Sequence, residues 1–383
     1  MNQLGEKVNL VICQKSKVDD WIEHFENNYH DEYAILDLTY KTDFEKFKEW
    51  DAEYCPYIAV INYDLIWRRP ELKKLQDFTL LLDESSLIQN ESAKRSKFIL
   101  KLNAKNVILL SGTPTGGKYE NLWSQLHLLG WNISKKLYWS QYVDYEIDDS
   151  QGFPIKIVKG YKNIERLKRK MRLHGCHFLK TEDVMTLPEQ VHTTVDISTT
   201  KEYRIFRKKS IVNINDVELV GDTTLTKMLY ERMLCGQYNE DKLNAFRDLL
   251  DSTNDRLIVF YNFTSELDEL LTICNEQNRP TSVVNGKVKE LINYENKTDS
   301  VTFIQYQAGA MGLNLQKANK IIYFTLPLSS ELFEQSKKRI HRIGQKQTCF
   351  YYYLICKNSI ETQIYDTLQM RKDYTDKLFE EGK

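Results

Sequence analysis

The first half of the chain alternates short apolar runs with stretches whose apolar residues recur at helical spacing. Several runs contain almost no polar residue, which is typical of strands buried on both faces of a sheet. Strands that alternate with helices predict a parallel α/β sheet. The runs are VNLVIC (8–13), YAILDL (33–38), PYIAVINYDLI (56–66), TLLLDE (79–84) and NVILLS (106–111).

The second half repeats this pattern and ends in a long amphipathic stretch over 359–381, which predicts one C-terminal helix. Helical stretches, including 287–297, separate the apolar runs, and 160–250 is mostly helical in pattern. We therefore predict an α/β protein of two lobes, 1–190 and 191–383, with parallel sheets and a helical insertion between them. The runs are RLIVFYNF (256–263), TSVVNG (281–286), VTFIQY (301–306), KIIYFTL (320–326) and FYYYLIC (350–356).

Composition narrows the class of protein. The 383 residues, 42% hydrophobic and 28% charged, are ordinary for a globular protein of two or three domains. No apolar run reaches about 18 residues, and the first residues lack the regions of a secretory signal, so we expect no membrane partner. Seven scattered cysteines without a CxxC pair indicate free thiols in a reducing cytoplasm.

The net charge of −1 excludes a polycation, so binding to nucleic acid requires a local basic surface. RLKRKMR (166–172) has five basic residues in seven and is either such a surface or a solvated helix face. His174, Cys176 and His177 form a cluster, but no second ligand pair at zinc spacing accompanies it. A plain surface cluster is therefore favoured over a metal site.

Polar segments follow two neighbouring apolar strands. LLDESS (81–86) places Asp83 and Glu84 at the carboxyl end of a strand, where open α/β sheets bind ligands. A pair of solvated acids that opens a turn is the alternative. SGTP (111–114) ends the next strand with small hydroxyl residues and a glycine, which suit a close backbone approach or a plain turn.

GTPTGGKY (112–119) matches the GxxxxGK pattern of a phosphate loop. However, Tyr119 stands where a Ser or Thr would bind magnesium. The segment also follows the acidic strand instead of preceding it. We therefore expect these glycines to shape a turn.

Two segments of the second half carry candidate chemistry. QYQAGAMGLNLQ (305–316) places glycines between a strand and the next element. QSKKRIHRIGQ (335–345) spaces Gln335, Arg339, Arg342 and Gln345 so that they reach one side of a helix and its end. Two guanidiniums a turn apart can pair with a triphosphate, and a solvated basic helix face is the alternative.

DESS, SGTP, the MGLNL run and QSKKRIHRIGQ follow one another across the two predicted lobes. In this order the sequence resembles the superfamily-two helicase-like ATPases, and among them the Swi/Snf-type DNA translocases and their phage and bacterial relatives. The likeness spans nearly the whole chain, and RIHRIGQ is its most specific segment. VICQKSKVDDW (11–21), VINYDLI (60–66) and VVNG (283–286) resemble further segments of that family.

The resemblance implies two RecA-like lobes that hold ATP and Mg²⁺ between them and bind DNA, as a duplex and without sequence preference, across both. Asp83 would help to hold Mg²⁺ through water, and Glu84 would orient or deprotonate the attacking water. Arg339 and Arg342 would act as arginine fingers. The residues implied to contact ATP are Gln335, Gly312 and Asn314. Those implied to couple nucleotide state to DNA contact are Ser111, Gly112 and Thr113.

The sequence departs from the family at its beginning. The family's phosphate loop, GxGKT, precedes the segment that VICQKSKVDDW resembles, and these 383 residues contain no GKT. We expect that the chain starts inside a longer protein, or that an upstream polypeptide supplies the loop with a strand inside the first sheet. Ser86 and Gln89 stand where many relatives carry His and Lys.

The sequence thus predicts an ATP-dependent DNA translocase or helicase-like motor core, in the cytoplasm of a bacterial or phage-infected cell. A non-hydrolysing remnant or split subunit that binds DNA or a partner is the alternative, and the missing phosphate loop supports it. A restriction-type or nucleoside-processing enzyme on the same fold is a third possibility, although no nuclease constellation is visible.

Overall fold

The chain forms two compact units, Met1–Phe178 together with Asp373–Lys383, and Leu179–Lys372. The predicted lobes over 1–190 and 191–383 stay a prediction. No helix in the described part of the chain is long and apolar enough to span a membrane. The computed structural model describes residues 4–149, 154–179, 186–214, 216–309 and 312–379.

Five parallel strands form the sheet of the first unit, in the order β2-β3-β1-β4-β5. They coincide with the five predicted apolar runs and confirm the α/β class for this unit. The strands are β1 (Val8–Cys13), β2 (Ala34–Asp37), β3 (Tyr57–Asn62), β4 (Phe78–Leu82) and β5 (Asn106–Leu109). The helices between them are α1 (Val18–Tyr29), α2 (Lys41–Glu49) and α3 (Lys94–Ile99).

Apolar side chains cover both faces of this sheet. On β1, Leu10 and Ile12 pack into one core cluster, whereas Val11 and Cys13 pack into another. Because successive side chains of a strand point to opposite faces, a strand covered on both sides needs apolar residues throughout. Each fully buried aliphatic side chain contributes about 1.5–3 kcal/mol, which makes the central strands the stable frame of the unit.

One edge of the first sheet is open within the described residues. β5 pairs with β4 on one side only, and its four residues are all partly exposed. Leu110, the next residue, is 41% exposed. The five strands pair without a gap, so a further strand can join them only beside β2 or β5. This corrects the expectation that a phosphate-loop strand is missing from inside this set of strands.

The first unit ends in a small part that we call the hairpin module, residues 131–178. Its antiparallel strands pack with two helices around buried aromatic and aliphatic side chains, so it has a core of its own. The elements are α4 (Trp123–Leu128), which precedes the module, α5 (Lys135–Tyr142), β6 (Val143–Asp148), β7 (Ile155–Tyr161) and α6 (Ile164–Leu173). The core includes Trp131, Tyr138, Tyr142, Leu167 and Met171.

Seven strands form the sheet of the second unit, in the order β13-β12-β14-β11-β15-β16-β8. All neighbours are parallel except β12 and β13. A separate hairpin comprises β9 (Ile211–Ile214) and β10 (Val217–Val220). The sheet strands are β8 (Gln190–Ile197), β11 (Leu257–Tyr261), β12 (Thr281–Val284), β13 (Lys289–Glu290), β14 (Val301–Gln305), β15 (Lys320–Tyr323) and β16 (Cys349–Cys356).

The helices of the second unit include most of the predicted long C-terminal helix, now α14, whose residues from Asp373 onward belong to the first unit. They are α7 (Lys201–Lys209), α8 (Thr224–Cys235), α9 (Glu240–Asp251), α10 (Thr264–Glu276), α11 (Ile292–Asn296), α12 (Tyr306–Gly309), α13 (Ser330–Lys337) and α14 (Ile360–Phe379).

Two predictions for helical segments are wrong in part. Residues 160–250 contain β8 and the β9–β10 hairpin, and β8 lies at a sheet edge with mostly exposed side chains, so it lacks an apolar run. Residues 287–297 form a short strand before a short helix. There the Asn285 side chain accepts the N–H groups of Lys287 and Val288, which favours a turn over a helix.

Two buried carboxylates of the second unit accept hydrogen bonds from within that unit, and one of their oxygens, Glu266 Oε1, has no partner among the described residues. Glu361 accepts hydrogen bonds from Lys242 Nζ at 2.6 Å and from the Cys356 N–H at 2.9 Å, and both charged groups are almost fully buried. Glu266, also buried, accepts the N–H groups of Asn262 and Phe263. Because an unpaired buried charge is costly, these partners are a condition of the fold.

Candidate active site

Asp83 lies directly after β4, a strand between β1 and β5 whose residues are all buried. Its N–H donates to the Ile12 carbonyl at 2.9 Å and continues the ladder with β1. One carboxylate oxygen, Oδ2, accepts a hydrogen bond from Trp21 Nε1 at 3.0 Å. The sheet and the indole therefore fix both the position and the rotation of this carboxylate.

Glu84 adopts a left-handed backbone, with φ 52° and ψ 56°, and precedes a 3₁₀ helix over Ser85–Ile88. A non-glycine residue pays about 1–2 kcal/mol for this conformation. The Tyr63 hydroxyl donates to the Asp83 carbonyl at 2.9 Å and lies 3.5 Å from the Glu84 carbonyl. Burial, with a smaller effect of Asp83, raises the pKa of Tyr63 well above its usual value, so the phenol remains a donor. Tyr63 thus holds the turn that aims the Glu84 side chain.

The thiol of Cys13 lies at the end of β1, near this acidic turn. Burial raises its pKa to about 12, and the negative charge of Asp83 adds to the effect. The group is therefore a neutral thiol at physiological pH and is not a nucleophile. The chemistry available at this edge of the sheet is that of carboxylates.

The SGTP loop follows β5. The Leu110 N–H donates to the Leu82 carbonyl, and the Leu110 carbonyl accepts the Ser85 N–H at 2.8 Å, so this loop and the acidic turn share one ladder. Ser111 Oγ accepts the Thr113 N–H at 3.2 Å, and Gly112 between them is exposed. Thr113 is buried, and its hydroxyl oxygen has no hydrogen-bond partner among the described residues.

Buried amide side chains connect the acidic turn to the SGTP loop. Ser85 Oγ donates to Gln125 Oε1 at 3.0 Å, and Gln125 Nε2 donates to the Pro114 carbonyl at 2.7 Å. Gln89 Nε2 also donates to this carbonyl, at 3.3 Å, and its Oε1 accepts from Asn121 at 2.9 Å. A shift of either segment must therefore move the other. The motifs did not point to Gln125 or Asn121, and the polar residues Ser124 and Gln125 on the buried side of α4 were the available signal for the first.

The glycines of GTPTGGKY form a turn. Gly116 and Gly117 have φ values of 53° and 76°, which favour glycine. The N–H of Gly116 donates to Thr113, and the N–H groups of Gly117 and Lys118 donate to Thr115. Because these N–H groups are used inside the protein, they are not available to hold phosphate oxygens. The geometry favours the predicted turn over a phosphate loop.

In the second unit, the MGLNL and RIHRIGQ segments are joined through their backbones. The Leu315 N–H donates to the Arg339 carbonyl at 3.1 Å, and Arg342 Nη1 lies 3.4 Å from the Leu313 carbonyl. Gln345 Nε2 donates to the Ala318 carbonyl at 2.8 Å and binds two further carbonyls nearby. Gln345 is therefore the structural link between the two segments.

The prediction that Arg339 and Arg342 lie along a helix and its end needs correction, because α13 ends at Lys337 and Arg339 lies in the turn beyond it. The Lys337 carbonyl accepts both the Tyr351 hydroxyl at 3.2 Å and the His341 N–H at 3.4 Å, and the Arg339 carbonyl accepts the Leu315 N–H, so Arg339 lies outside the regular helix. Gln335 is half-buried in the last turn of α13.

Two further predicted residues belong to the MGLNL segment. Gly312 has φ 71°, a conformation that favours glycine, and Asn314 is exposed. Asp83, Glu84, Ser111, Gly112 and Thr113 all belong to the first unit, whereas the other five predicted residues belong to the second.

The described residues contain one buried group with metal-ligating atoms, formed by Cys235, Cys356 and Glu361. Glu361 already bonds to the Lys242 ammonium, whose positive charge opposes a cation. His174 stacks on Trp131 with its ring centroid 5.8 Å away. The structure thus favours the surface-cluster interpretation of 174–177 over a zinc site.

Family models match most of the chain. A model described as SNF2-related domain matches residues 2–242, and one described as Helicase conserved C-terminal domain matches residues 241–344. The chain belongs to the SNF2-related family. This confirms the resemblance inferred from the motifs. By its family, the SNF2-related chain is a helicase-like ATPase core.

Known relatives of the SNF2-related chain are longer. "SWI/SNF-related matrix-associated actin-dependent regulator of chromatin subfamily A member 1" of Mus musculus is 22% identical over 98% of this chain and 39% of its own length. A subfamily A-like protein 1 homolog of Caenorhabditis elegans is 24% identical, over 95% and 54%. A solved structure titled "Sulfolobus solfataricus SWI2/SNF2 ATPase core in complex with dsDNA" is 18% identical and covers 98% of this chain and 83% of its own, with a TM-score of 0.43.

The SNF2-related family implies Mg²⁺ and the phosphates of ATP as ligands. The residues of the first unit fit Mg²⁺ better than they fit the phosphates. Trp21 occupies one oxygen of Asp83, so the other can face a hydrated Mg²⁺ ion, which prefers oxygen ligands. The turn at 116–118 does not fit a triphosphate, because its N–H groups are already bonded. The acidic turn therefore offers carboxylate oxygens that suit a hydrated Mg²⁺ ion, and the turn at 116–118 offers no cradle for phosphate.

Proposed function

We propose that this chain is the motor core of an ATP-dependent DNA translocase. One observation carries the proposal: the hydrogen-bonded path from Ser85 through Gln125 to Pro114 links the carboxylate turn to the SGTP loop. A motor must transmit the state of its nucleotide to a second segment. A shared path of buried amides is a physical means of doing so.

In this proposal, each motif residue has a defined part. Asp83 would hold Mg²⁺ through water, and a bound ion would supply positive charge against the phosphates. Glu84 orients the attacking water and accepts its proton. Arg339 and Arg342 stabilise negative charge that develops on the transferred phosphoryl group. Contacts to ATP come from Gln335, Gly312 and Asn314, and contacts that respond to DNA come from Ser111, Gly112 and Thr113.

The proposed track is duplex DNA, bound through its phosphates and without sequence preference. Contacts to phosphates carry no sequence information and allow release at every step. The seven free thiols are compatible with a reducing compartment, so we place the protein in the cytoplasm of a bacterial or phage-infected cell.

A second candidate function follows from the bonded N–H groups at 116–118 and the lack of GKT in these 383 residues. In it, the chain is a split subunit or remnant that hydrolyses nothing by itself. As a split subunit, it obtains its phosphate loop from an upstream polypeptide segment. The open edge of β5 supports this form, because it lies beside the SGTP loop and its ladder has room for one more strand.

ATP affinity and turnover of residues 1–383, compared with an N-terminally extended protein that carries GxGKT, separate the two candidates. The extended protein should show DNA-stimulated hydrolysis, and residues 1–383 should bind ATP poorly. Glu84→Gln in the extended protein should retain ATP binding and lose roughly 10²–10⁴-fold in turnover. Arg342→Ala should lose roughly 10³–10⁵-fold.

Arg247→Ala, which removes an exposed arginine of α9, is the matched control and should keep normal turnover. Near-normal turnover of Glu84→Gln or Arg342→Ala would contradict the assigned roles. Tight ATP binding and hydrolysis by residues 1–383 alone would contradict the split-subunit candidate. Binding of DNA without hydrolysis by either protein would favour a remnant.

A further inference from the structure

The hairpin module (residues 131–178) differs in charge from the rest of the chain. It contains ten lysines and arginines and five aspartates and glutamates, whereas the whole chain has a net charge of −1. Its core is built from aromatic and aliphatic side chains, so the charged residues lie around the outside. The hairpin module is therefore locally basic, although the chain as a whole is close to neutral.

A groove of about 350 Å³ on this module is lined by Lys135, Lys136, Trp139 and Lys156. The Lys156 ammonium lies 4.8 Å from the ring centroid of Trp139 and 4.5 Å from that of Tyr145. Aromatic rings attract a cation without cancelling its charge. Lys156 is therefore held in place and still presents a full positive charge to an outside anion.

The neighbouring lysines add to this charge. Lys135 and Lys136 occupy the first turn of α5, where the helix dipole is already positive and lysine is unfavourable. Lys135 pairs with Glu91, but neither Lys136 nor Lys156 has a carboxylate within ion-pair distance among the described residues. An anion in the groove would relieve this repulsion.

Positive charge continues on the other side of α5. A second groove of about 510 Å³ is lined there by Arg166 and Lys170 of α6, together with Trp131 and Gln141. Arg166 Nη1 donates to Gln141 Oε1 at 2.9 Å, which leaves its charge unneutralised. On α6, Leu167 and Met171 are buried, so the basic side chains occupy the opposite face.

We propose that the two grooves flanking α5 bind the phosphate backbone of a nucleic acid as an anchor outside the motor motifs. A polymer with regularly spaced phosphates matches cations distributed on both sides of one helix. Partly exposed aromatic rings among cations are typical of surfaces that bind nucleic acids. The choice of nucleic acid over an acidic peptide rests on the proposed function. Binding to the grooves does not require ATP.

The test is binding of residues 1–383 to labelled duplex DNA of two unrelated sequences, without ATP, at several salt concentrations. The triple variant Lys135→Gln/Lys136→Gln/Lys156→Gln should bind roughly 10- to 100-fold more weakly at low salt. The slope of log K against log salt should become shallower by about 2–3, because each lysine that contacts a phosphate accounts for roughly one unit.

The matched control is Lys41→Gln/Lys74→Gln/Lys101→Gln, which removes the same charge from exposed positions of the first unit. It should change affinity less than about 3-fold, since distant surface charges are screened. Equal losses in the two triple variants would overturn the anchor while leaving the translocase proposal intact. Failure of the unaltered chain to bind any duplex would overturn both. Unchanged duplex affinity combined with loss of polyglutamate or anionic-vesicle binding would assign the grooves to another partner and reject the anchor.

Discussion

The two sheets of this protein end differently. The first has edge strands β2 and β5, each with three apolar residues, and all four residues of β5 are partly exposed. The second ends at β13, which has two charged residues, and at β8, whose exposed side chains are mostly polar. Short or polar edge strands protect a sheet against further pairing, whereas an apolar edge invites it. The edge strands of the second sheet therefore disfavour pairing with a further strand, whereas β5 of the first sheet can accept one.

The same contrast holds for buried charge. The second unit buries Glu361 with Lys242, and every partner comes from within that unit. In the first unit, the acidic turn and the SGTP loop, which carry the proposed chemistry, lie beside the open edge. The second unit thus satisfies this buried charge internally, whereas the proposed chemistry of the first unit lies at an edge that can accept a further strand.

The largest expected effect tests the self-sufficiency of the second unit. Lys242→Met removes the only ammonium that bonds to buried Glu361 among the described residues. Breaking a buried pair from one side costs about 3–5 kcal/mol, because the remaining charge is uncompensated. Urea unfolding should report this loss. Adding Glu361→Gln should recover part of it, since an amide needs no counter-ion.

Lys357→Met is the control for that experiment. Its ion pair with Asp196 is exposed in the same unit, so its loss should cost less than about 1 kcal/mol. Equal destabilisation by the two substitutions would mean that breaking the buried pair costs no more free energy of unfolding than breaking an exposed pair.

A second test concerns packing beside the other buried carboxylate. A Cβ at Gly236 would lie 2.5 Å from Glu266 Oε1, and Glu266 is held by backbone N–H groups. Gly236→Ala should therefore destabilise the protein by about 1–3 kcal/mol, as overpacking does. Gly286→Ala, where nothing lies within 4 Å of the new Cβ, should have almost no effect on urea unfolding. A tolerated Gly236→Ala would show that this part of the second unit is looser than its contacts indicate.

The open edge of the first sheet provides a third test. Val107→Lys places a charge on β5, which should disfavour a strand added there. In the extended protein that carries GxGKT, ATP affinity should fall roughly 10-fold, the equivalent of one or two ladder hydrogen bonds. The melting temperature of residues 1–383 should change little. Val217→Lys, at an exposed position on β10, is the control, and an equal effect of both would argue against strand addition beside β5.

The smallest expected effect lies at the closed edge of the second sheet. His192 on β8 has Nδ1 2.8 Å from the Tyr353 hydroxyl, and burial, with help from Lys337, lowers its pKa to about 4. The unfolded chain binds this proton near pH 6.5, so stability is lost as the pH falls from about 6.5 toward 4. Since the ring is partly exposed, we expect a loss of about 1 kcal/mol between pH 7 and 5. His192→Gln should flatten this part of the stability profile, and an unchanged profile would contradict the assignment.

Features that depend on local pattern were predictable. The central strands are apolar throughout because both faces are buried, and Asp83 follows such a strand, so the position of the acidic turn could be inferred from sequence. The bonded turn at 116–118 was also inferable, since Tyr119 breaks the phosphate-loop pattern. In each case, neighbouring residues in the sequence determine the outcome.

Features that depend on distant contacts were not predictable. The Leu315 N–H bonds to the Arg339 carbonyl and so joins two segments that are separate in the sequence. The strand β8 acquires its register from β16, about 160 positions away in the sequence. Gln125 gained a role only because α4 packs against the acidic turn. No local pattern contains this information.

The left-handed backbone at Glu84 has a consequence for the populations of two conformations. The conformation costs about 1–2 kcal/mol, and the Tyr63 hydrogen bond to the neighbouring carbonyl returns about 0.5–1.5 kcal/mol. These two terms nearly cancel, and the bonds of the Ser85 and Leu87 N–H groups to the Leu110 and Glu84 carbonyls add to the left-handed conformation, so it dominates the population. A contact to the Glu84 side chain worth about 1.4 kcal/mol would change the ratio of the two conformations ten-fold. The protein therefore sets the direction of this carboxylate before anything occupies the site.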